Sequence, residues 1–315
     1  MHIVYLDAHT LNPGDLDWTP LTALGEVTFY DRTTTGEIVE RVKDAAIILV
    51  NKVKMSRQTL VQLPKLRYVG VTATGYDIVD VVAARELGII VTNVRGYGSD
   101  SVAQLTVALL LELALNVGRH SQSVHAGEWE QSPDFCYWKS PLIELAGKTL
   151  GLVGYGDIGR KVADIGRAMG MTIIVNKRHP DNSPNVQFVD LPTLFAQSDV
   201  VSLHCPMTPE NRGFVNRDLL ATMKPSAFLL NTSRGGLINE ADLAEALHNG
   251  ILAGVGIDVL SVEPPTSENP LLTAPKCIIT PHIAWASFEA RGRLLKAVVE
   301  NIKAFQSGTP INVVG

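Results

Sequence analysis

Cysteine is scarce: the 315-residue chain has three, Cys136, Cys205 and Cys277. They are far apart and odd in number, which excludes a disulfide framework and a CxxC zinc pattern. The plain reading is a reducing, cytoplasmic setting. No block of like charges occurs, and Lys plus Arg total 27 against 32 for Asp plus Glu, a net −5. So mild an acidity argues against a nucleic-acid or polyanion surface. No long hydrophobic run is present either. The most apolar stretch, Leu105–Val117, carries Glu112 inside it and reads as a buried helix, with no membrane partner expected. The apolar start, Met1–Leu6, stops at Asp7, too short and uncharged for a signal peptide. Low-complexity segments, short repeats and metal-ligand clusters are lacking, so no metal site is expected. What remains is a chain with 46% hydrophobic and 19% charged residues, ample for a buried core. At about 150 residues per domain its length suggests two domains.

Short β-rich runs alternate with helical patterns. Ile3–Leu6, Glu26–Tyr30, Ala46–Val50, Tyr68–Val71 and Ile89–Thr92 are such runs, with helix-like patterns at Thr35–Lys43 and Asp80–Leu87. Several are apolar at consecutive positions, as parallel strands covered on both faces should be. The alternation predicts an open, doubly wound α/β sheet. Near Arg95-Gly96-Tyr97-Gly98 the pattern breaks, and an apolar helix over about Ser99–Val117 follows, covered on both sides, with Asp100 placed to cap it. Residues 119–147 read as irregular and aromatic-rich, with Trp129, Phe135, Tyr137 and Trp138. They are either a satellite core under a loop or a dimerisation arm, the latter favoured. A second α/β series begins at Lys148, with strands at Leu150–Val153, Thr172–Val175, Val200–His204, Ala227–Asn231, Gly254–Val259 and Cys277–Thr280. The last amphipathic helix, about Phe288–Phe305, has no strand left to serve there and is expected to return to the first domain. The division expected is therefore 1–97 with 286–315, and 98–285, the two crossings near 97 and 285 forming a hinge.

Leu150-Gly151-Leu152-Val153 runs into Gly154-Tyr155-Gly156-Asp157-Ile158-Gly159. This is G-x-G-x-x-G between a strand and a helix. Gly154 permits the tight turn, Gly156 lets the backbone approach a pyrophosphate, and Gly159 lets helix and strand pack closely. The helix N-terminus then offers free N–H groups to the phosphates. About 20 residues on, a dinucleotide site usually carries an acid for the ribose 2′-OH. Here the segment reads Val175-Asn176-Lys177-Arg178-His179. Lys177 and Arg178 are suited to a 2′-phosphate, favouring NADP(H) over NAD(H), unless they are merely solvated loop charges.

Ligands of open α/β sheets bind beyond the carboxyl ends of the strands. Three polar residues follow three such ends: Arg234, Glu263 and His282. A nicotinamide enzyme of an oxo or hydroxy acid needs these types. An Arg anchors the carboxylate bidentately, a His exchanges the proton, and a carboxylate orients that His. Singly, each has an ordinary reading as a surface salt bridge, a loop acid or a helix-entry residue. Together on one edge beside a glycine loop, they point to chemistry.

At this point the chain resembles the D-isomer-specific 2-hydroxyacid dehydrogenases over essentially its whole length. The matching pieces are Thr72–Asp77, Ser101–Gln104, Gly154–Gly159, His204–Thr208, Asn231–Gly236, Gly256–Val259, Glu263–Pro265 and Pro281–Ala284. Asn51-Lys52-Val53 and Ser132–Trp138 are most similar to the glycerate dehydrogenase and hydroxypyruvate reductase branch. The resemblance implies two doubly wound Rossmann-like domains: a flavodoxin-like substrate domain and an NAD(P)-binding Rossmann domain, with a cleft between them. It implies reversible reduction of hydroxypyruvate and glyoxylate, with Arg234 binding substrate, His282 as acid and base, and Glu263 as its partner. The backbone at Thr74 and Gly75 would hold the substrate carboxylate, with Lys52 nearby. Asp157 and Ile158 would meet the pyrophosphate, Cys205, Pro206 and Thr232 would line the cofactor groove, and Asp258 would bind the carboxamide. Similar proteins are homodimers, and Trp138 of the arm would reach a neighbour's pocket. The chain departs from the family at Lys177, where an acid is usual, and at Arg95, where many relatives have Pro. At this length, no regulatory extension of the kind found in long phosphoglycerate dehydrogenases is expected. Rival readings are the same machinery acting on another 2-hydroxy acid, formate or phosphite, and a nicotinamide-sensing corepressor-like binding protein.

Overall fold

In the computed structural model, which describes residues 1–180 and 183–315, the wholly apolar runs are buried strands. Strands β1 (His2–Tyr5), β2 (Glu26–Phe29), β3 (Ile47–Val50), β4 (Tyr68–Val71) and β5 (Ile90–Thr92) come first. They are accompanied by helices α1 (Thr19–Thr22), α2 (Ile38–Val42), α3 (Arg57–Leu60) and α4 (Val81–Glu86). Next come α5 (Ser99–Leu115), α6 (Val117–His125), β6 (Thr149–Val153), α7 (Asp157–Ala168), β7 (Thr172–Asn176), β8 (Gln187–Phe188) and α8 (Leu191–Gln197). Then follow β9 (Val200–Leu203), α9 (Arg217–Leu220), β10 (Phe228–Asn231), α10 (Glu240–His248), β11 (Gly254–Ile257), β12 (Cys277–Ile279) and α11 (Phe288–Gln306). Every residue of β3, β4, β9, β10 and β11 is buried, as expected of parallel strands covered on both faces.

The chain divides into two compact units, Met1–Gly98 with Trp285–Gly315, and Ser99–Ala284. In the first, five parallel strands run in the order β2-β1-β3-β4-β5, the flavodoxin-like order whose switch point lies between β1 and β3. One face packs Val4, Ile48, Val50 and Val69 against α2 and α4. The other packs Ile3, Tyr5, Leu49 and Tyr68 against Leu294, Val298 and Ile302 of α11. Each such buried aliphatic side chain contributes about 1.5–3 kcal/mol, enough to bind the late helix to the early sheet. Residues 312–314 extend the β5 edge: Val314 N donates to Val91 O at 2.9 Å.

The second unit has seven parallel strands in the order β12-β11-β10-β9-β6-β7-β8, with the order reversing between β6 and β9. Its two faces bury Leu203, Leu229 and Ile257 against α8 and α10, and Leu152, Val175 and Leu230 against α5 and α7.

Three local readings are corrected. Helix α6 occupies 117–125, so only the later part of 119–147 is irregular. Asn116, in the left-handed conformation at φ 49°, separates it from α5. Asp100 lies inside the first turn of α5, not before it, and pairs with Lys161 at 2.5 Å. Within its unit α5 is covered on one side only: Val102, Thr106, Leu109 and Leu110 are buried while Gln104 and Ala108 are exposed. The two-residue strand β8 was too short to leave a pattern. Among the described residues, no single helix is long and apolar enough to cross a membrane.

Candidate active site

The glycine loop joins β6 to α7. Gly154 has φ +97°, and a Cβ there would lie 2.6 Å from the His204 carbonyl carbon and Cys205 N, so both backbone conformation and space require glycine. Gly159 closes the same turn, its missing Cβ falling 2.5 Å from Gly154 O. Gly156 differs, because a Cβ there would meet nothing. It stands at the N-cap of α7 with no side-chain cap, and Asp157 beside it is exposed. Open space at Gly156, over uncapped N–H groups, fits the pyrophosphate of a nicotinamide dinucleotide.

Arg234 is placed by a turn that Asn231 ties. Asn231, fully buried at the end of β10, accepts from Ser233 N at 3.0 Å and donates to Arg234 O at 2.9 Å. Gly235 packs the turn onto the chain after β11, since a Cβ would fall 2.0 Å from the Leu260 carbonyl carbon. Among the described residues, the Arg234 guanidinium makes one hydrogen bond, Nη1 to Ser233 O at 2.9 Å. The role of Asn231 was missed, although Asn before Thr-Ser-Arg is a side-chain-to-backbone turn signal.

His282 and Glu263 meet. Nδ1 of His282 lies 2.6 Å from Glu263 Oε2, and Glu263 Oε1 accepts from Leu260 N at 3.0 Å. With Nδ1–H assigned to the carboxylate, Nε2 is left to exchange a proton. Both side chains keep partial access, 27% for His282 and 31% for Glu263. His282 has φ +55°, a left-handed conformation costly for a residue with a Cβ. Two bonds hold it there: His282 N donates to Asp258 O at 2.8 Å and Thr280 O at 3.0 Å. The buried Asp258 carboxylate secures the same turn, accepting from Thr280 Oγ1 at 2.6 Å, Ile283 N at 2.9 Å and Ala284 N at 2.8 Å. Burial pushes its carboxyl above the usual range, against those hydrogen bonds.

Other expected cofactor residues line the same sheet edge. Lys177 is half-buried and Arg178 exposed just past β7. Cys205 follows β9 with its thiol pushed up to about 11 by burial, and its carbonyl accepts from Ser233 Oγ at 2.7 Å. Pro206 is exposed, and the buried Thr232 hydroxyl pairs with Thr106 at 2.8 Å. His204 supports this edge: its N–H donates to Val153 O at 2.7 Å, and Nε2 lies 2.8 Å from Ser202 Oγ. Burial pushes its imidazole from 6.5 down to about 4. As pH falls between these values the unfolded chain takes up the proton first, so stability should drop across that window. Thermal midpoints measured from pH 7 to 4 should show the fall, and a shallower one for His204→Gln. Equal slopes would remove His204 as the cause.

Lys52, Thr74 and Gly75 belong to the other unit, past the ends of β3 and β4, with Lys52 and Thr74 exposed. In the irregular segment after α6, Phe135 is 89% and Trp138 67% exposed. This segment is fixed locally by Tyr137 OH and Ser123 Oγ at 2.6 Å and by Trp129 Nε1 donating to Phe135 O at 3.0 Å. No group of three metal-ligating side chains occurs among the described residues.

Comparison with known proteins identifies the family. Residues 107–284 match the model of the D-isomer specific 2-hydroxyacid dehydrogenase NAD binding domain. The chain is 48% identical to a hydroxypyruvate reductase of Blautia hydrogenotrophica, covering all of this chain and 99% of the relative. It is 41% identical to a glycerate dehydrogenase of Methylorubrum extorquens, over 99% of this chain and 98% of the relative. A crystal structure of an NADPH-dependent glyoxylate/hydroxypyruvate reductase from Sinorhizobium meliloti, in complex with NADP and malonate, superposes with a TM-score of 0.83. Identity there is 30%, and all of this chain and 96% of that chain are covered. The two-sheet fold, the glycine loop for a nicotinamide cofactor and these full-length similarities make one conclusion: the chain is an oxidoreductase belonging to the D-isomer specific 2-hydroxyacid dehydrogenase family.

Proposed function

We propose that the protein reduces hydroxypyruvate and glyoxylate to D-glycerate and glycolate, reversibly, with NADP(H) favoured over NAD(H). The observation that carries this reading is the Glu263–His282 pair, which follows the next two strands beyond that of Arg234 on the edge that holds the glycine loop. The names of the full-length relatives point to hydroxypyruvate and glycerate, and that of the Sinorhizobium meliloti structure to glyoxylate as well. When bound, reduced nicotinamide supplies the hydride for the substrate carbonyl carbon. Arg234 grips the carboxylate and polarises the carbonyl. Nε2 of His282 gives a proton to the carbonyl oxygen in reduction and takes it from the hydroxyl in oxidation. Glu263 fixes the ring and faces the positive charge that it carries before giving up the proton. Lys52 and the backbone at Thr74 and Gly75 are assigned to the substrate carboxylate. Asp258 is assigned to the carboxamide, and Cys205, Pro206 and Thr232 to the groove. The units take the roles of substrate domain and nucleotide domain. A homodimer is proposed from the exposed Phe135 and Trp138, with Trp138 reaching a second copy. The three unpaired cysteines suit a cytoplasmic setting.

The test is the loss of reduced-nicotinamide absorbance with hydroxypyruvate, run in parallel with NADPH and NADH. Faster turnover with NADPH is expected. Lys177→Ala combined with Arg178→Ala should raise KM for NADPH by about tenfold or more, because each cation is assigned a charge-assisted bond to the 2′-phosphate. KM for NADH should stay level. Equal KM values for NADPH before and after substitution would return both residues to the role of solvated charges. No turnover with either cofactor, despite measurable cofactor binding, would overturn the substrate reading.

A further inference from the structure

Asp7 is a buried carboxylate, 6% exposed, that the proposed chemistry does not use. It follows β1 and precedes a short helical turn, yet its side chain does not cap that turn. It reaches across to the loop after β3. Oδ1 accepts from Asn51 N at 2.8 Å, and Oδ2 accepts from Lys52 N at 2.6 Å and Val53 N at 3.1 Å. Three consecutive backbone N–H groups thus converge on one carboxylate.

The arrangement continues into the next loop. Asn51, 4% exposed, donates from Nδ2 to Thr72 O at 2.8 Å. The Thr72 hydroxyl in turn donates to Val50 O at 3.2 Å and accepts from Tyr5 OH at 2.9 Å. Thr72 leads directly into Thr74 and Gly75, where Asn93 Nδ2 holds Thr74 O at 2.6 Å. The ends of β1, β3 and β4 are therefore tied together by side chains. This is the β1/β3 switch point of the first sheet, where an open α/β sheet leaves its ligand crevice.

A buried carboxylate is a costly way to fasten a loop. Burial pushes the Asp7 carboxyl above its usual range, opposed by the bonds from Lys52, Asn51 and Val53 and by the Lys52 charge. A neutral side chain could hold one or two of these N–H groups. Only an acceptor-only group with two oxygens takes all three.

We propose that Asp7 is a positioning residue for the substrate carboxylate. It sets the 51–53 turn directly, and the 72–75 turn through Asn51 and Thr72, so that Lys52 and the Thr74–Gly75 backbone meet the anion in fixed register. This rests on the reading that Lys52, Thr74 and Gly75 bind that carboxylate. Asp7→Asn keeps the shape but sets an NH2 group against one of the backbone N–H donors. Misplaced binding groups are costly, so KM for hydroxypyruvate should rise by about tenfold or more. The inhibition constant of oxamate, a carboxylate without a reducible ketone, should rise in parallel. KM for NADPH should be unchanged.

Lys52→Ala is measured alongside, and the two effects should be less than additive. A raised KM in Lys52→Ala with wild-type KM and oxamate inhibition in Asp7→Asn overturns the role of Asp7 and leaves the carboxylate reading standing. No change in Lys52→Ala overturns the assignment of Lys52 and the inference with it. A lowered thermal midpoint in Asp7→Asn with unchanged KM marks a purely structural role and also overturns it. Should Asp7→Asn fail to fold, Asn51→Ala decides, since it cuts the link to Thr72 and leaves the Asp7 bonds in place. There a several-fold rise in hydroxypyruvate KM is expected, and an unchanged KM overturns the inference.

Discussion

Removing the imidazole of His282 should lower kcat for hydroxypyruvate by about 100-fold or more, the usual scale of a lost general acid. The choice of substitute matters, because His282 sits at φ +55°. Asn tolerates the left-handed region better than Ala. His282→Asn therefore keeps the turn that Asp258 and Thr280 hold, while offering no acid in place of the ring. Stopped-flow hydride transfer, together with NADPH binding by fluorescence, separates the two effects. Binding should persist while transfer collapses. Turnover near that of the wild type would take His282 out of the chemistry. Glu263→Gln should give a smaller loss, because the ring would keep its place through a neutral hydrogen bond.

Arg234→Ala is the second large effect. Hydrogen bonds to a charged partner contribute about 1.5–3 kcal/mol each. A bidentate grip on the carboxylate then amounts to about 3 kcal/mol or more, roughly a hundredfold in kcat/KM. The turn should survive, since Asn231 holds the backbone carbonyl of Arg234 rather than its side chain. Arg234→Lys should rescue little, because an ammonium cannot reproduce the planar fork. Steady-state kinetics with unchanged NADPH affinity is the check, and unchanged kcat/KM for hydroxypyruvate would remove Arg234 from the substrate.

Much of the fold was legible because parallel sheets make a strong sequence signature. Tyr68–Val71 and the glycine loop announce themselves by composition, and Arg234, Glu263 and His282 lie where chains leave such strands. Features that depend on lateral neighbours were hidden. Asp7 reads only as the end of an apolar run, since its partners lie more than forty residues away, at the end of β3. Asn231 and Asp258 look like ordinary strand-end residues until the turns that they fasten are seen. Helix α6 was obscured by the aromatic, irregular segment that follows it, and its polar sequence gave little apolar face to read.

The division of the first unit into 1–98 and 285–315 has a consequence for synthesis. Residues 99–284 are made between its two parts. At about 5–20 residues per second, this takes roughly ten to forty seconds. Throughout that interval Ile3, Tyr5, Leu49 and Tyr68 lack the α11 residues Leu294, Val298 and Ile302 that cover them. The early sheet thus emerges from the ribosome with one greasy face bare. The later unit, contiguous in sequence, can complete its own core first. In the cell, the vulnerable species is this half-finished chain, and holdase chaperones would find their binding surface there.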